Sequence, residues 1–183
     1  MKAFKNGEKF PMEKEHLNNL LFRIREHDKD AFSELYEQMK GCVYGIALLY
    51  SRSHADAEDI MQNTFIQIWN KAHLYSGKNA KSWIMTIARN LSHNFMKQNS
   101  KNAELPEEIP APDCFSDIYD SEYIKYLFSC LREDEREIIV LSSYGFSHLE
   151  ISKIVRCPYS TVRWKYSNAV KKILKKTGGA DNE

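Results

Sequence analysis

The chain has 183 residues, 28% of them charged, a formal net charge of +1, and four cysteines. That length admits one sizeable core or two small ones. Cys42, Cys114, Cys130 and Cys157 are scattered without a CxxC pair or matching histidines, so no metal site and no disulfide framework is expected, only thiols of a reducing compartment. Neither a signal-like apolar run nor a stretch long enough for a bilayer is present, which makes a soluble, cytoplasmic protein without membrane insertion the expectation.

Residues 1–28 read as a Lys/Glu-alternating tail followed by a first helix, where Leu17, Leu20, Leu21 and Ile24 recur at helical spacing. That helix should stop near His27 and Asp28, with Asp30 capping the next. There Phe32, Leu35, Tyr36, Met39, Val43, Ile46, Ala47 and Tyr50 form a long apolar stripe, and Gly41 and Gly45 weaken the helix while permitting close approach. Ser53 is placed to cap a third helix running to about Ala72. Asp56, Glu58 and Asp59 in its first turns suit the helix dipole, and Ile60, Met61, Thr64, Phe65 and Ile68 make its inner face. Ile66 and Trp69 fall outside that face and call for a partner.

A turn at Tyr75–Asn79 leads into a helix from about Ala80 to Ser100. Trp83, Asn90, Asn94 and Lys97 lie along its margins, in a stretch from Ile60 to Ala103 that has no acid. Aromatics among Lys and Asn suit unpaired or distorted nucleic acid, because rings stack bases and amides pair with their edges. For Trp83 or Tyr75 taken alone, a place in the core is the favoured reading.

Three prolines between Leu105 and Pro112, in an acidic segment, forbid regular helix and mark residues 102–120 as a tether. A second bundle follows over 121–178, with a short tail at 179–183. Ser147 and Glu150 form a capping box, and Pro158 suits the start of a further helix, giving helix, turn, helix. On that last helix Val162, Tyr166, Ala169, Val170 and Ile173 face inward, while Ser160, Trp164, Ser167, Asn168 and Lys171 face outward beside Arg163 and Lys165. From Ile151 to Ala180 no acid occurs, and a one-sided basic face suits phosphate. Without strand-like alternation, the fold class is all-α: two small helical domains, 29–101 and 121–178, joined by a flexible linker.

Two blocks carry a family resemblance. Asp56 to Trp69, followed by Ser82 to Asn90, resembles the conserved second region of bacterial sigma factors of the extracytoplasmic-function group; Leu131 to Ile139 and Gly145 through Arg163 resemble the fourth region. The resemblance implies a protein without catalytic activity or cofactor that joins RNA polymerase core, directs it to promoters and helps melt them. Its third helix would dock on the coiled coil of the largest subunit through Glu58, Asp59, Gln62, Asn63, Phe65, Ile66 and Trp69. By the same resemblance Tyr75, Lys78, Asn79, Trp83, Asn90, Asn94 and Lys97 would meet the −10 element, and Pro158, Ser160, Thr161, Arg163, Trp164, Ser167, Asn168 and Lys171 the −35 element. Further partners implied are the polymerase flap and an anti-sigma factor, which could hold the protein at a membrane. Arg156 stands where glycine is frequent in the family, so the turn there is expected to avoid a left-handed conformation. The competing reading is a stand-alone helix-turn-helix regulator whose N-terminal bundle binds a partner. A helical hydrolase or metalloprotein finds no support in the six histidines, which form no HExxH, or in any glycine-rich loop.

Overall fold

Leu17, Leu20, Leu21 and Ile24 are all buried, so one face of the first helix is a continuous core stripe. A computed structural model describes residues 14–51, 53–99 and 122–178; the N-terminal tail, Arg52, residues 100–121 with the whole acidic tether and Cys114, and the last five residues lie outside the described residues. All regular structure among the described residues is helical, in agreement with the all-α expectation: α1 (Lys14–Arg25), α2 (Lys29–Tyr50), α3 (His54–Lys71) with a 3-10 turn (Ala72–Leu74), α4 (Ala80–Asn99), α5 (Glu122–Phe128), α6 (Glu133–Ser143), α7 (His148–Ile154) and α8 (Tyr159–Lys176).

Helix α1 ends in a left-handed residue, His27, at φ 63°. The following amide, Asp28, reaches back to the Arg23 carbonyl at 3.2 Å, which closes the helix. Asp28 then starts α2: its Oδ1 accepts from the amides of Asp30 and Ala31 at 2.9 and 3.0 Å. The cap is thus Asp28 and not Asp30, because α2 begins two residues earlier than the apolar periodicity indicates. The Ala31 amide, assisted by the Arg23 guanidinium, holds the Asp28 carboxyl below its ordinary value.

Helix α2 is the axis of the molecule. From Cys42 to Ala47 every residue is buried, on all sides of the helix, which requires neighbours all round. Helices α1, α3 and α4 supply three of them and α6 a fourth. The Cys42 thiol, pushed up to about 12 by burial, donates to the Met85 sulfur at 3.5 Å and is an inert core group.

The C-terminal helices do not stand apart. Helix α6 lies on α2 and α7 lies on α4. Ile138, Leu141, Phe146, Ile151 and Val162 join Leu35, Val43 and Ile84 in one apolar cluster. At the seam the Tyr144 ring covers Gly45, where a Cβ would lie 2.8 Å from the Tyr144 oxygen, and the Tyr144 hydroxyl donates to the Gly41 carbonyl at 2.9 Å. The small residues of α2 do permit a close approach, and what approaches is an aromatic ring from the other half of the chain.

Candidate nucleic-acid interface

The helix-turn-helix is built from local bonds. Glu150 accepts from the Ser147 amide at 2.9 Å and the Ser147 hydroxyl accepts from the Glu150 amide at 3.3 Å, so both halves of the capping box form. Helix α7 closes through Arg156, whose φ is 53°, with the Cys157 amide donating to the Ser152 carbonyl at 3.0 Å. The expectation that arginine would avoid the left-handed conformation is therefore wrong: the 6→1 closure needs that backbone geometry whatever side chain stands there. Pro158, extended at ψ 142°, is the cap residue, and α8 starts at Tyr159.

On α8, Val162 and Ala169 are buried, while Pro158, Ser160, Arg163, Trp164, Ser167 and Lys171 are exposed; Thr161 and Asn168 are half-buried. Trp164 stands out at 63% exposure. Tyr159, also exposed, holds the Arg163 guanidinium over its ring at 5.8 Å. It extends the outward face by one residue that sequence reading passed over, although its place four before Arg163 would have found it.

Three lysines of this helix are spent internally, Lys176 among them, which bonds to the Ser129 hydroxyl and lies 4.0 Å over the Tyr126 ring. Lys165 pairs with Asp134 at 2.5 Å and Lys172 with the buried Glu135 at 2.6 Å, both across to α6. Burial acts upward on these two carboxyls, yet the lysine bonds outweigh it and hold both below their ordinary values. The Lys165 ammonium is correspondingly raised by its bond to Asp134. What remains for phosphate is Lys153, Arg156, Arg163, Lys171 and Lys175, all exposed.

Helix α4 divides its candidates into two sets. Asn90, Asn94 and Lys97 are exposed at spacings of four and three, one polar stripe, and Lys78 is exposed in the preceding turn. Tyr75 is buried, its hydroxyl donating to Asn18 at 2.5 Å and its ring lying 5.4 Å from the half-buried Trp83. Burial raises the Tyr75 hydroxyl. Asn79 has both ends engaged: Oδ1 accepts from the Ser82 amide, capping α4, and Nδ2 donates to Glu150, each at 2.9 Å.

Two bases of the first basic block also turn inward. Lys81 donates to the Tyr144 carbonyl at 2.8 Å and sits 4.2 Å over the Phe146 ring. Arg89 pairs with Glu137 at 2.6 Å, with side-chain exposures of 18% and 3%. Nothing local in the sequence signals either partner, since Glu137 lies 48 residues from Arg89.

On α3, Glu58, Asp59, Gln62, Asn63 and Ile66 are exposed and run from acidic to apolar along one side. Phe65 is buried against Tyr36, with ring centroids 4.6 Å apart. Trp69 is half-buried, edge-on to Phe32 at 5.1 Å.

Residues 35–102, which span α2 to α4, match sigma-70 region 2. The extracytoplasmic-function (ECF) RNA polymerase sigma factor SigK of Mycobacterium bovis is 24% identical over 170 residues, covering 86% of this chain and 91% of that protein. The match to sigma-70 region 2 thus falls on the bundle that carries the α3 and α4 faces. SigK of Mycolicibacterium vanbaalenii is 22% identical over 185 residues and covers 94% of each chain. Among solved structures, the sigma factor RpoE of Bartonella quintana, crystallised with the anti-sigma factor NepR, is 26% identical at a TM-score of 0.68, over 85% of this chain and 100% of that one. CnrH in complex with the cytosolic domain of CnrY has the same fold at 16% identity and a TM-score of 0.70, covering 91% and 99%. Among the described residues no helix is long and apolar enough to cross a membrane.

Proposed function

We propose that this chain is a sigma factor that joins RNA polymerase core and carries it to promoters with both a −10 and a −35 element, which it helps to melt. The observation that carries this reading is the pair of polar, acid-free outward faces, Asn90–Asn94–Lys97 on α4 and Ser160 through Lys171 on α8, each on a rigid helix. Asn90 and Asn94 present amides to bases of the −10 element, with Lys78 and Lys97 on phosphate. Trp164 and Asn168 read the −35 element, and Arg163 and Lys171 hold its backbone.

Core docking falls to the exposed part of α3, namely Glu58, Asp59, Gln62, Asn63 and Ile66, with Phe65 and Trp69 supporting that surface from below. An open apolar groove of about 320 Å³ between α6 and α8, floored by Ile139, Tyr166, Val170 and Ile173, receives the polymerase flap. An anti-sigma partner is supported by the complexes in which RpoE and CnrH are found.

Reconstitution with core polymerase and sequencing of transcripts from a promoter library tests the reading. Initiation at a defined bipartite motif is expected. Failure of the chain to bind core, together with tight duplex binding by the chain alone, would establish a stand-alone regulator instead.

A further inference from the structure

The centre of the outward face of α8 carries no charge, which narrows what it can read. Ser160, Trp164 and Asn168 follow one another at intervals of four residues and form one stripe of the helix. Trp164 stands in the second turn, in the N-terminal part that a recognition helix lays on base edges. At 63% exposure it is the most exposed large apolar side chain of α8. Its two neighbours in the chain are cations, and both are engaged elsewhere. Lys165 is bonded to Asp134 at 2.5 Å, and the Arg163 guanidinium lies over the Tyr159 ring, on the adjoining stripe. The next cation along this face, Lys171, stands about two turns further on.

The commonest sequence-reading contact in a major groove is a guanine gripped through O6 and N7 by Arg or Lys, and the stripe through Trp164 offers no such cation. Tryptophan brings a broad apolar ring and one N–H donor, with no acceptor. Cytosine presents an amine in the major groove, adenine an amine beside N7, and guanine two acceptors. Thymine alone presents an apolar group, its C5 methyl, beside the O4 acceptor. Laid on a thymine, the indole buries the methyl and leaves O4 to its N–H; laid on a cytosine, it strips water from an amine and returns no acceptor. Trp164 and Asn168 are about 6 Å apart along the helix axis, fewer than two base-pair steps of about 3.4 Å. They therefore meet pairs one or two steps apart, and the Asn168 amide suits adenine N6 and N7. The exposed Lys153, Arg156, Arg163, Lys171 and Lys175, in a run without acids, draw this face onto phosphate and so bring the ring to the groove.

We infer that Trp164 determines the specificity for one T·A pair of the −35 element by laying its indole on the C5 methyl of the thymine, one or two base pairs from the pair that Asn168 reads. The inference rests on the reading of α8 as the −35 helix and deepens it by naming the base and the chemical group recognised. A methyl also fixes orientation. Exchanging T·A for A·T carries the methyl to the other strand and away from the ring, so the reversed pair is discriminated against along with the two G·C pairs. One methyl group taken from water accounts for about fourfold in affinity, and a wrong pair at this position for about fivefold or more.

The test uses holoenzyme reconstituted from core polymerase and the full chain, with a duplex promoter that the wild-type holoenzyme selects from a library. Deoxyuridine replaces each −35 thymine in turn, which removes the methyl and keeps the pairing. At one position wild-type binding should weaken about fourfold. Trp164→Ala should weaken binding to the unmodified promoter about tenfold and lose its response to that deoxyuridine, whereas Trp164→Phe, which keeps an apolar ring, should retain the response. A library selected with the Trp164→Ala holoenzyme should lose the thymine at that position and keep the adenine read by Asn168. Because the side chain is exposed, circular dichroism should show unchanged helix in both variants. Deoxyuridine without effect at every −35 thymine would overturn the inference. So would a Trp164→Ala loss equal on all sequences, which marks a sugar or phosphate contact, or unchanged promoter binding with weakened core association, which marks a protein contact. A wild-type holoenzyme that binds no promoter removes the −35 reading itself, whereas selective binding without methyl dependence removes only the role of Trp164.

Discussion

The Arg89–Glu137 pair is open to a test whose pH dependence carries a definite sign. Burial is the leading influence on Glu137 and pushes its carboxyl above the ordinary value, against the opposing bonds from Arg89 and Tyr50. A carboxyl raised on folding contributes stability that is fully present below its unfolded value of 4.5 and is lost as pH rises through the folded value. The folded protein should therefore lose stability from this group as pH rises above about 4.5. Replacing Arg89 by alanine at pH 7.5 leaves a carboxylate at 3% exposure without its partner. Breaking a buried pair in this way costs about 3–5 kcal/mol, and the 18% exposure of Arg89 places this one near about 3 kcal/mol. Once neutral, the carboxyl can be buried at smaller cost, so at pH 5 the penalty should shrink by about 1–2 kcal/mol. Glu137→Gln, which keeps shape and hydrogen bonding without the charge, should cost no more than about 1 kcal/mol at either pH. Urea unfolding of the three proteins at pH 5 and pH 7.5 measures all of this. An Arg89→Ala penalty that is the same at both pH values, or below 0.5 kcal/mol at pH 7.5, would refute the reasoning.

Arg156→Gly should stabilise the protein by about 1 kcal/mol, because the left-handed conformation is free of cost for glycine; a lowered melting temperature would count against it. Asn168→Ala should cost about 1–3 kcal/mol at one −35 position in holoenzyme binding, whereas an equal loss on every sequence would make Asn168 a phosphate contact. Lys171→Ala should lower the salt slope of promoter binding by about one, while Lys172→Ala should leave that slope intact and instead lower urea stability, because its ammonium already belongs to Glu135. Asn63→Lys with Ile66→Ala should abolish core association in a pull-down with helical content unchanged; these residues are exposed, whereas Trp69 packs on Phe32 and its loss would also disturb the core.

Local features were the most legible in the sequence. The capping box at Ser147, the cap at Ser53 and the inward stripe of α8 each depend on residues within a turn or two, and short spacing encodes them directly. The α2 cap was misplaced by two residues because Asp28 and Asp30 are equally good acceptors, and only the left-handed turn at His27 decides between them. Arg156 was misjudged because a backbone closure, invisible in residue type, overrides the preference of the side chain. The seam was illegible for a different reason. Phe146, Ile138 and Ile151 satisfy the pattern of a separate C-terminal core equally well whether or not a second layer covers them. Among the candidate binding residues, burial separates Tyr75 and Phe65 from Asn90, Trp164 and Ile66, and helical spacing alone cannot make that separation where an aromatic fits either role.

Glu135 has a consequence of its own. Its carboxylate accepts the Arg132 amide that begins α6 and grips Lys172 in the last turns of α8. One side chain thus bolts the front end of one rod to the far end of another. If the flap docks in the groove between those rods as proposed, turning one rod there should carry the other with it, and Trp164 on α8 should move along with the groove.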